Sequence, residues 1–186
     1  MHEPPVFDRL KEIMQTIEFC LHSKLQLPSL ILLYATIDSV GWLASTKPNE
    51  QVRRRFTRWV DDWLLKAKPL GSTSLELYAA RCGVLHSLTS DSHLSKAKTA
   101  RRVVYSLGDQ TSAKLQALAD RIKPNEYVAV RIEDLYGGFK QGLVAFLEDV
   151  MKDQVRKRNF EERAARHFMY LSQTEMNEAV KALNIP

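Results

Sequence analysis

The stretch Leu75-Glu-Leu-Tyr-Ala-Ala-Arg-Cys-Gly-Val-Leu-His86 places an arginine and a histidine, Arg81 and His86, in an otherwise apolar run rich in small residues. Just before it, Thr73-x-x-Glu76 has the spacing of a capping box. In such a box the threonine hydroxyl accepts from the amide three residues on, and the glutamate reaches back to the N-cap amide. The run is therefore read as a helix ending near residue 86, and Glu76 is given a structural task. At 100° per residue Arg81 and His86 lie about 140° apart around that helix, so they are not a simple face pair. Ala79, Ala80 and Gly83 leave one side almost bare, where another backbone can seat closely. A cation and an imidazole beside such a side suit phosphate chemistry, and they equally suit a plain helix–helix contact.

Upstream, Val6, Leu10, Ile13, Met14, Ile17 and Leu21 recur at helical spacing and mark a first helix. Pro28 suits the first turn of a second helix, which is apolar nearly all round and runs to about Ser45. Asp38 lies in the middle of that second helix. A buried carboxylate is costly unless paired. Its partner is either Arg81 or His86 on the neighbouring helix, or Tyr34 or Trp42 one turn away on its own. After a break over residues 46–49, a third helix turns Val52, Phe56, Trp59, Val60 and Trp63 inward and its arginines outward. Pro69 and Gly71 interrupt the chain again before the capping box.

Downstream, Arg102-Val-Val-Tyr-Ser-Leu107 and Tyr127-Val-Ala-Val-Arg-Ile132 are short β-rich runs flanking a helical pattern over residues 111–123. They predict a strand–helix–strand unit with two parallel strands. A long helix is expected over residues 133–158, with Leu135, Phe139, Leu143, Phe146, Leu147 and Val150 on one face. Gly137-Gly138 is expected to kink it or shift its start. Two further helices, over 160–171 and 174–183, close the chain. The expected fold is mainly α, in a single domain over residues 1–186. Its helical core spans 1–92, the strand–helix–strand insertion 100–134, and the C-terminal helices of 135–186 complete the bundle.

With 186 residues, 45% hydrophobic and 26% charged, the chain suits one well-buried globular core. The net charge of +5 favours an anionic partner. Basic clusters supply Arg53, Arg54, Arg58, Lys96 and Lys98 as candidate nucleic-acid contacts. Asp61, Asp62, Glu161 and Glu162 lie close by in sequence, so the same clusters also read as solvated helix faces. Cys20 and Cys82 lack C-x-x-C spacing and read as reduced, packed residues. The opening Met-His-Glu-Pro-Pro does not read as a signal peptide, and the apolar run over 30–44 is too short for a membrane span. A cytoplasmic protein is expected. With no H-E-x-x-H, Walker A loop, G-x-G-x-x-G or G-x-S-x-G, neither a metal nor a cofactor is expected.

Arg81-Cys-Gly-Val-Leu-His86, on one helix of an all-α core with the polar Asp38 on a preceding helix, resembles the HEPN (higher eukaryotes and prokaryotes nucleotide-binding) superfamily. The match is to its Arg-x4–6-His signature and covers roughly the first four helices. Leu88 stands where one toxin subgroup has tyrosine, and Cys82 where asparagine often follows the arginine. The resemblance implies a metal-independent endoribonuclease of a toxin, phage-defence or stress system. It implies a homodimer that brings two Arg/His elements into one RNA-binding cleft, and an antitoxin or other regulatory protein as a further partner. The implied catalytic residues are Arg81, His86 and Asp38. RNA carries its own nucleophile, the 2′-OH. His86 could therefore shuttle the proton, since a free imidazole titrates near pH 6.5. Arg81 could grip the phosphate and Asp38 orient one of the two. The competing expectation is a non-catalytic helical dimer, in which the three residues lock a seam and the module binds nucleic acid or a protein partner.

Overall fold

The computed structural model describes residues 5–47, 49–89, 91–166, 177–178 and 181–182. Helix α1, Pro5–His22, buries Val6, Leu10 and Ile17 against α2, Gln26–Leu43. Leu30, Leu33, Tyr34, Ile37 and Val40 bury α2 on most sides, and α3, α5, α8 and α9 also pack on it. Its apolar circumference thus makes it the central helix. Gly41 lets α3, Val52–Trp59, approach closely, because a Cβ there would lie 3.2 Å from the Arg55 carbonyl oxygen.

Helix α3 continues through a π-helical turn, Val60–Leu64, into the short α4, Leu65–Ala67. The turn faces α8, Ile132–Lys152, at the point where α8 carries Gly142. A Cβ on Gly142 would meet the Trp63 carbonyl carbon at 2.9 Å and the Leu64 nitrogen at 3.0 Å. One turn earlier, a Cβ on Gly138 would lie 3.2 Å from Leu64 Cδ2. These glycines therefore serve helix contact. The start is not delayed, since α8 is helical from Ile132 onward.

The long helix expected over residues 133–158 is two helices. Helix α8 ends at Lys152, and Asp153 is extended and caps α9, Gln154–Ala164, accepting from the Val155 and Arg156 amides. An aspartate that satisfies two otherwise orphan amides favours a new helix start over continuation. Phe160 belongs to α9, and what was expected over residues 167–171 and over most of 174–183 falls outside the described residues.

The strand–helix–strand unit is formed by β1, Arg102–Ser106, α7, Ser112–Ile122, and β2, Tyr127–Arg131. The strands are parallel, in register Arg102 to Tyr127 through Ser106 to Arg131. The Gln116 side chain takes the place of a neighbouring strand on β2. Its oxygen accepts from the Ala129 amide at 2.8 Å and its nitrogen donates to the Tyr127 carbonyl at 3.2 Å. A buried pair of hydroxyls, Tyr34 and Tyr105 at 2.6 Å, ties the ribbon to α2. One core of buried side chains runs from Val6 in α1 to Ala164 in α9. The fold is mainly α with a small two-stranded parallel insertion.

The Arg81 and His86 cluster, a candidate functional site

Helix α5, Ser74–Ser87, begins with both halves of the capping box. Thr73 Oγ1 accepts from the Glu76 amide at 3.2 Å, and Glu76 accepts from the Thr73 amide at 2.8 Å. Glu76 also receives Arg101, 2.5 Å away. Burial disfavours its charge, but the Arg101 guanidinium and the Thr73 amide outweigh that and hold its pKa below the usual glutamate value. The start of α5 is thus fixed, and with it the rotation that aims Arg81 at α2.

Arg81 Nη2 donates to Asp38 Oδ2 at 2.5 Å, and Arg81 Nη1 lies 3.1 Å from His86 Nε2. Of the partners open to Asp38 in the sequence, Arg81 is the one that forms the ion pair. Tyr34 turns instead to Tyr105. Arginine is long enough to span the 140° between positions 81 and 86, so the two side chains meet despite lying on different faces. The Arg81 and Asp38 side chains are only 12% and 15% exposed, whereas His86 is exposed. Burial opposes the charge on Arg81, yet the adjacent carboxylate raises the guanidinium pKa above its usual value, so Arg81 stays protonated at any working pH.

The 3.1 Å contact also has a direction. A guanidinium has only donors, so His86 Nε2 is the acceptor in this hydrogen bond. An imidazolium would bring two donors face to face. The arrangement presents an exposed imidazole beside a fixed cation.

Gly83 is required where it stands, but its neighbour differs from the one the sequence suggests. The backbone of Thr89 and that of Asp91 lie over α5, and a Cβ on Gly83 would lie 2.5 Å from the Thr89 carbonyl oxygen and 2.9 Å from that of Asp91. Leu88 makes the reversal with φ +52°. Ala79 and Ala80 are buried as well, so the bare side of α5 is covered by this chain's own atoms.

The candidate nucleic-acid residues divide among three places. Arg53 and Arg54 are exposed on α3, and Arg53 lines a cleft with Tyr78, Cys82 and His93. Arg58 is engaged by Glu50 in a two-pronged pair at 2.5 and 2.8 Å. Lys96 and Lys98 line an open cleft of about 690 Å³ with Glu76, Arg101 and Arg102, at the opposite end of α5 from His86. Ten residues of helix separate Glu76 from His86, about 15 Å.

One residue of the cluster points inward against expectation. Arg55 was expected to face outward with its neighbours, yet its Nη2 lies 3.8 Å from Asp38 Oδ1 and its side chain is 20% exposed. The signal for this is angular: Arg55 falls four residues before Trp59, about 40° from it on the helix wheel, at the edge of the apolar stripe. Among the described residues no group of His, Cys, Asp or Glu is placed to hold a metal ion, and no helix is long and apolar enough to cross a membrane.

Fold and site together define a mainly helical protein in which two arginines converge on one carboxylate beside an exposed histidine. No protein-family model, curated protein or solved structure matches the chain.

Proposed function

We propose that this chain is a metal-independent endoribonuclease of the HEPN type, acting as a homodimer in the cytoplasm in defence or stress control. The observation that supports it is the chain of contacts from Asp38 to Arg81 to His86, ending on an exposed imidazole. In this reading a ribose 2′-OH attacks the adjacent phosphorus. His86 Nε2 exchanges its Arg81 contact for the 2′-OH and takes that proton, the O2′–P bond forms, and the P–O5′ bond breaks as O5′ gains a proton. The second proton transfer falls to the other copy's imidazole or to water. The products are a 2′,3′-cyclic phosphate and a 5′-OH. Fixed positive charge from the arginines offsets the charge that develops as phosphorus becomes five-coordinate. Since the chain itself covers Ala79, Ala80 and Gly83, the dimer contact is assigned to the exposed end of α5, around His86 and Leu88. An antitoxin or other regulatory protein is the further partner this reading carries.

The test is incubation of mixed RNAs with the protein in EDTA. Cleavage to 2′,3′-cyclic phosphate ends, lost in His86→Ala, is expected. A folded dimer that cuts no RNA, or a His86→Ala variant that cuts undiminished, contradicts the proposal.

A second reading rests on the burial of Asp38 and Arg81. Their ion pair joins α2 to α5, which is what a structural lock in a non-catalytic binding module would also do. Stability alone separates the Arg81 role from that of His86. His86 is exposed, so His86→Ala should cost well under about 1 kcal/mol in either reading. Its effect on cleavage then carries the distinction.

A further inference from the structure

Arg81 is the less available of the two guanidinium groups at Asp38. Its Nη2 is held at 2.5 Å by the carboxylate and its Nη1 faces His86. Arg55 is held more loosely. Its only charge partner among the described residues is Asp38 Oδ1 at 3.8 Å, beyond hydrogen-bond length, and its guanidinium makes no side-chain hydrogen bond there. Asp38 Oδ1 likewise has no hydrogen-bond partner. One carboxylate that fully engages one arginine leaves the second cation largely uncompensated.

A third guanidinium sharpens the imbalance. Arg163 of α9 donates to the Trp42 and Lys47 carbonyls and lies over the Trp42 ring at 5.2 Å, one turn along α2 from Asp38. Burial and then the like charge of Arg55 push its pKa below the usual arginine value. The nearest further carboxylate, Glu50, is taken by Arg58 and Ser45. Two arginines thus share Asp38, with Arg163 adding like charge beside Arg55, an arrangement that favours an anion at the loosely held Arg55. The seating of α3 on Gly41 fixes where that cation stands, because the Arg55 carbonyl is the atom Gly41 makes room for.

We infer that Arg55 is the phosphate-binding arginine of this site, taking a backbone phosphate of an RNA strand, while Arg81 is a positioning residue that holds the His86 ring. This rests on the ribonuclease reading for the identity of the strand, and it reassigns the phosphate contact from the arginine of the Arg-x4-His element to one outside it. Arg55 shares Asp38 with Arg81 and feels the charge of Arg163, so the site is assigned to a strand with several phosphates in preference to a mononucleotide.

The experiment is binding of a fully 2′-O-methylated oligoribonucleotide, which cannot be cleaved through a 2′-OH, measured over a range of salt concentrations. The variants are Arg55→Ala, Arg55→Lys and, as a charge-matched comparison on α7, the exposed Lys114→Ala. Arg55→Ala should weaken binding about tenfold, the loss of a hydrogen bond to a charged group. It should also reduce the slope of log affinity against log salt by about 0.7, one phosphate contact to a single strand. Arg55→Lys should restore the slope, and Lys114→Ala should leave it unchanged. A purely structural Arg55 would not move the slope, so wild-type affinity and slope in a folded Arg55→Ala overturn the inference, as does failure of the wild type to bind. If the oligonucleotide binds with the expected dependence on Arg55 but natural RNA is never cut, the inference stands and the nuclease reading falls. Cleavage that does not depend on Arg55 gives the reverse.

Discussion

Arg81 and Asp38, 43 residues apart in sequence, meet through Nη2 and Oδ2 at 2.5 Å and join helix α5 to the central helix α2. Each is nearly buried, so each depends on the other. Removing one member of such a pair leaves an uncompensated charge, whereas replacing both with apolar groups of similar volume is often tolerated. Asp38→Asn should therefore cost about 3 kcal/mol in chemical denaturation. The double variant Asp38→Leu with Arg81→Met should cost clearly less than the two single changes summed. Strict additivity would mean the contact contributes nothing to folding.

Gly83 supports the same end of α5 by a different route. A methyl group there would be driven into the Thr89 and Asp91 carbonyl oxygens, and both belong to backbone that cannot swing aside cheaply. Gly83→Ala should lower stability by about 2 kcal/mol, the scale of an overpacking change, despite alanine's better helix propensity. Thermal melting checks this. An unchanged or raised Tm would show that the Thr89 and Asp91 carbonyls do not lie over the helix.

The capping box gives a pH dependence with a defined sign. The Glu76 pKa is lowered in the folded protein by Arg101 and the Thr73 amide, against the opposing effect of burial. A depressed carboxylate pKa adds stability above the unfolded value of about 4.3 and loses it as pH falls through the folded value. Stability should therefore drop on acidification below about pH 5, and Glu76→Gln should flatten part of that drop. Glu18 and Glu50 are lowered too, so some slope should persist in the variant. Identical acid profiles for wild type and Glu76→Gln would refute the assignment.

On the ribbon, Gln116→Ala should leave the Ala129 amide and the Tyr127 carbonyl without their side-chain partner. A loss of about 1–2 kcal/mol is expected, along with faster hydrogen exchange at Ala129. Unchanged exchange at that amide would count against the side chain acting as a substitute strand.

What could be read from the sequence was mostly local or forced by cost. The Thr73–Glu76 box depends only on a three-residue spacing, and the strands around α7 on short β-rich runs. Asp38 announced its need for a partner because an unpaired carboxylate in an apolar helix is expensive. Matters set by helix rotation and crossing were hidden. Arg55 sits at the margin of its stripe, so only the seating of α3 on Gly41 decides that it faces Asp38. The π-helical turn packs against Gly142, some eighty residues away in sequence, and Gly83 is covered by a backward loop with no pattern of its own. The break at Asp153 was masked because the residues after it continue a helical composition. Only the capping geometry reveals it.

The most direct measurement for the central claim compares cleavage of one oligoribonucleotide by wild type and His86→Ala in EDTA, beside the same oligomer carrying deoxyribose throughout. Wild type should cut only the ribose strand, leaving 2′,3′-cyclic phosphate ends. His86→Ala, with unchanged stability, should be slower by about 10²–10⁴-fold. Cleavage of the deoxyribose strand, or a folded His86→Ala that cuts RNA at the wild-type rate, would contradict that claim.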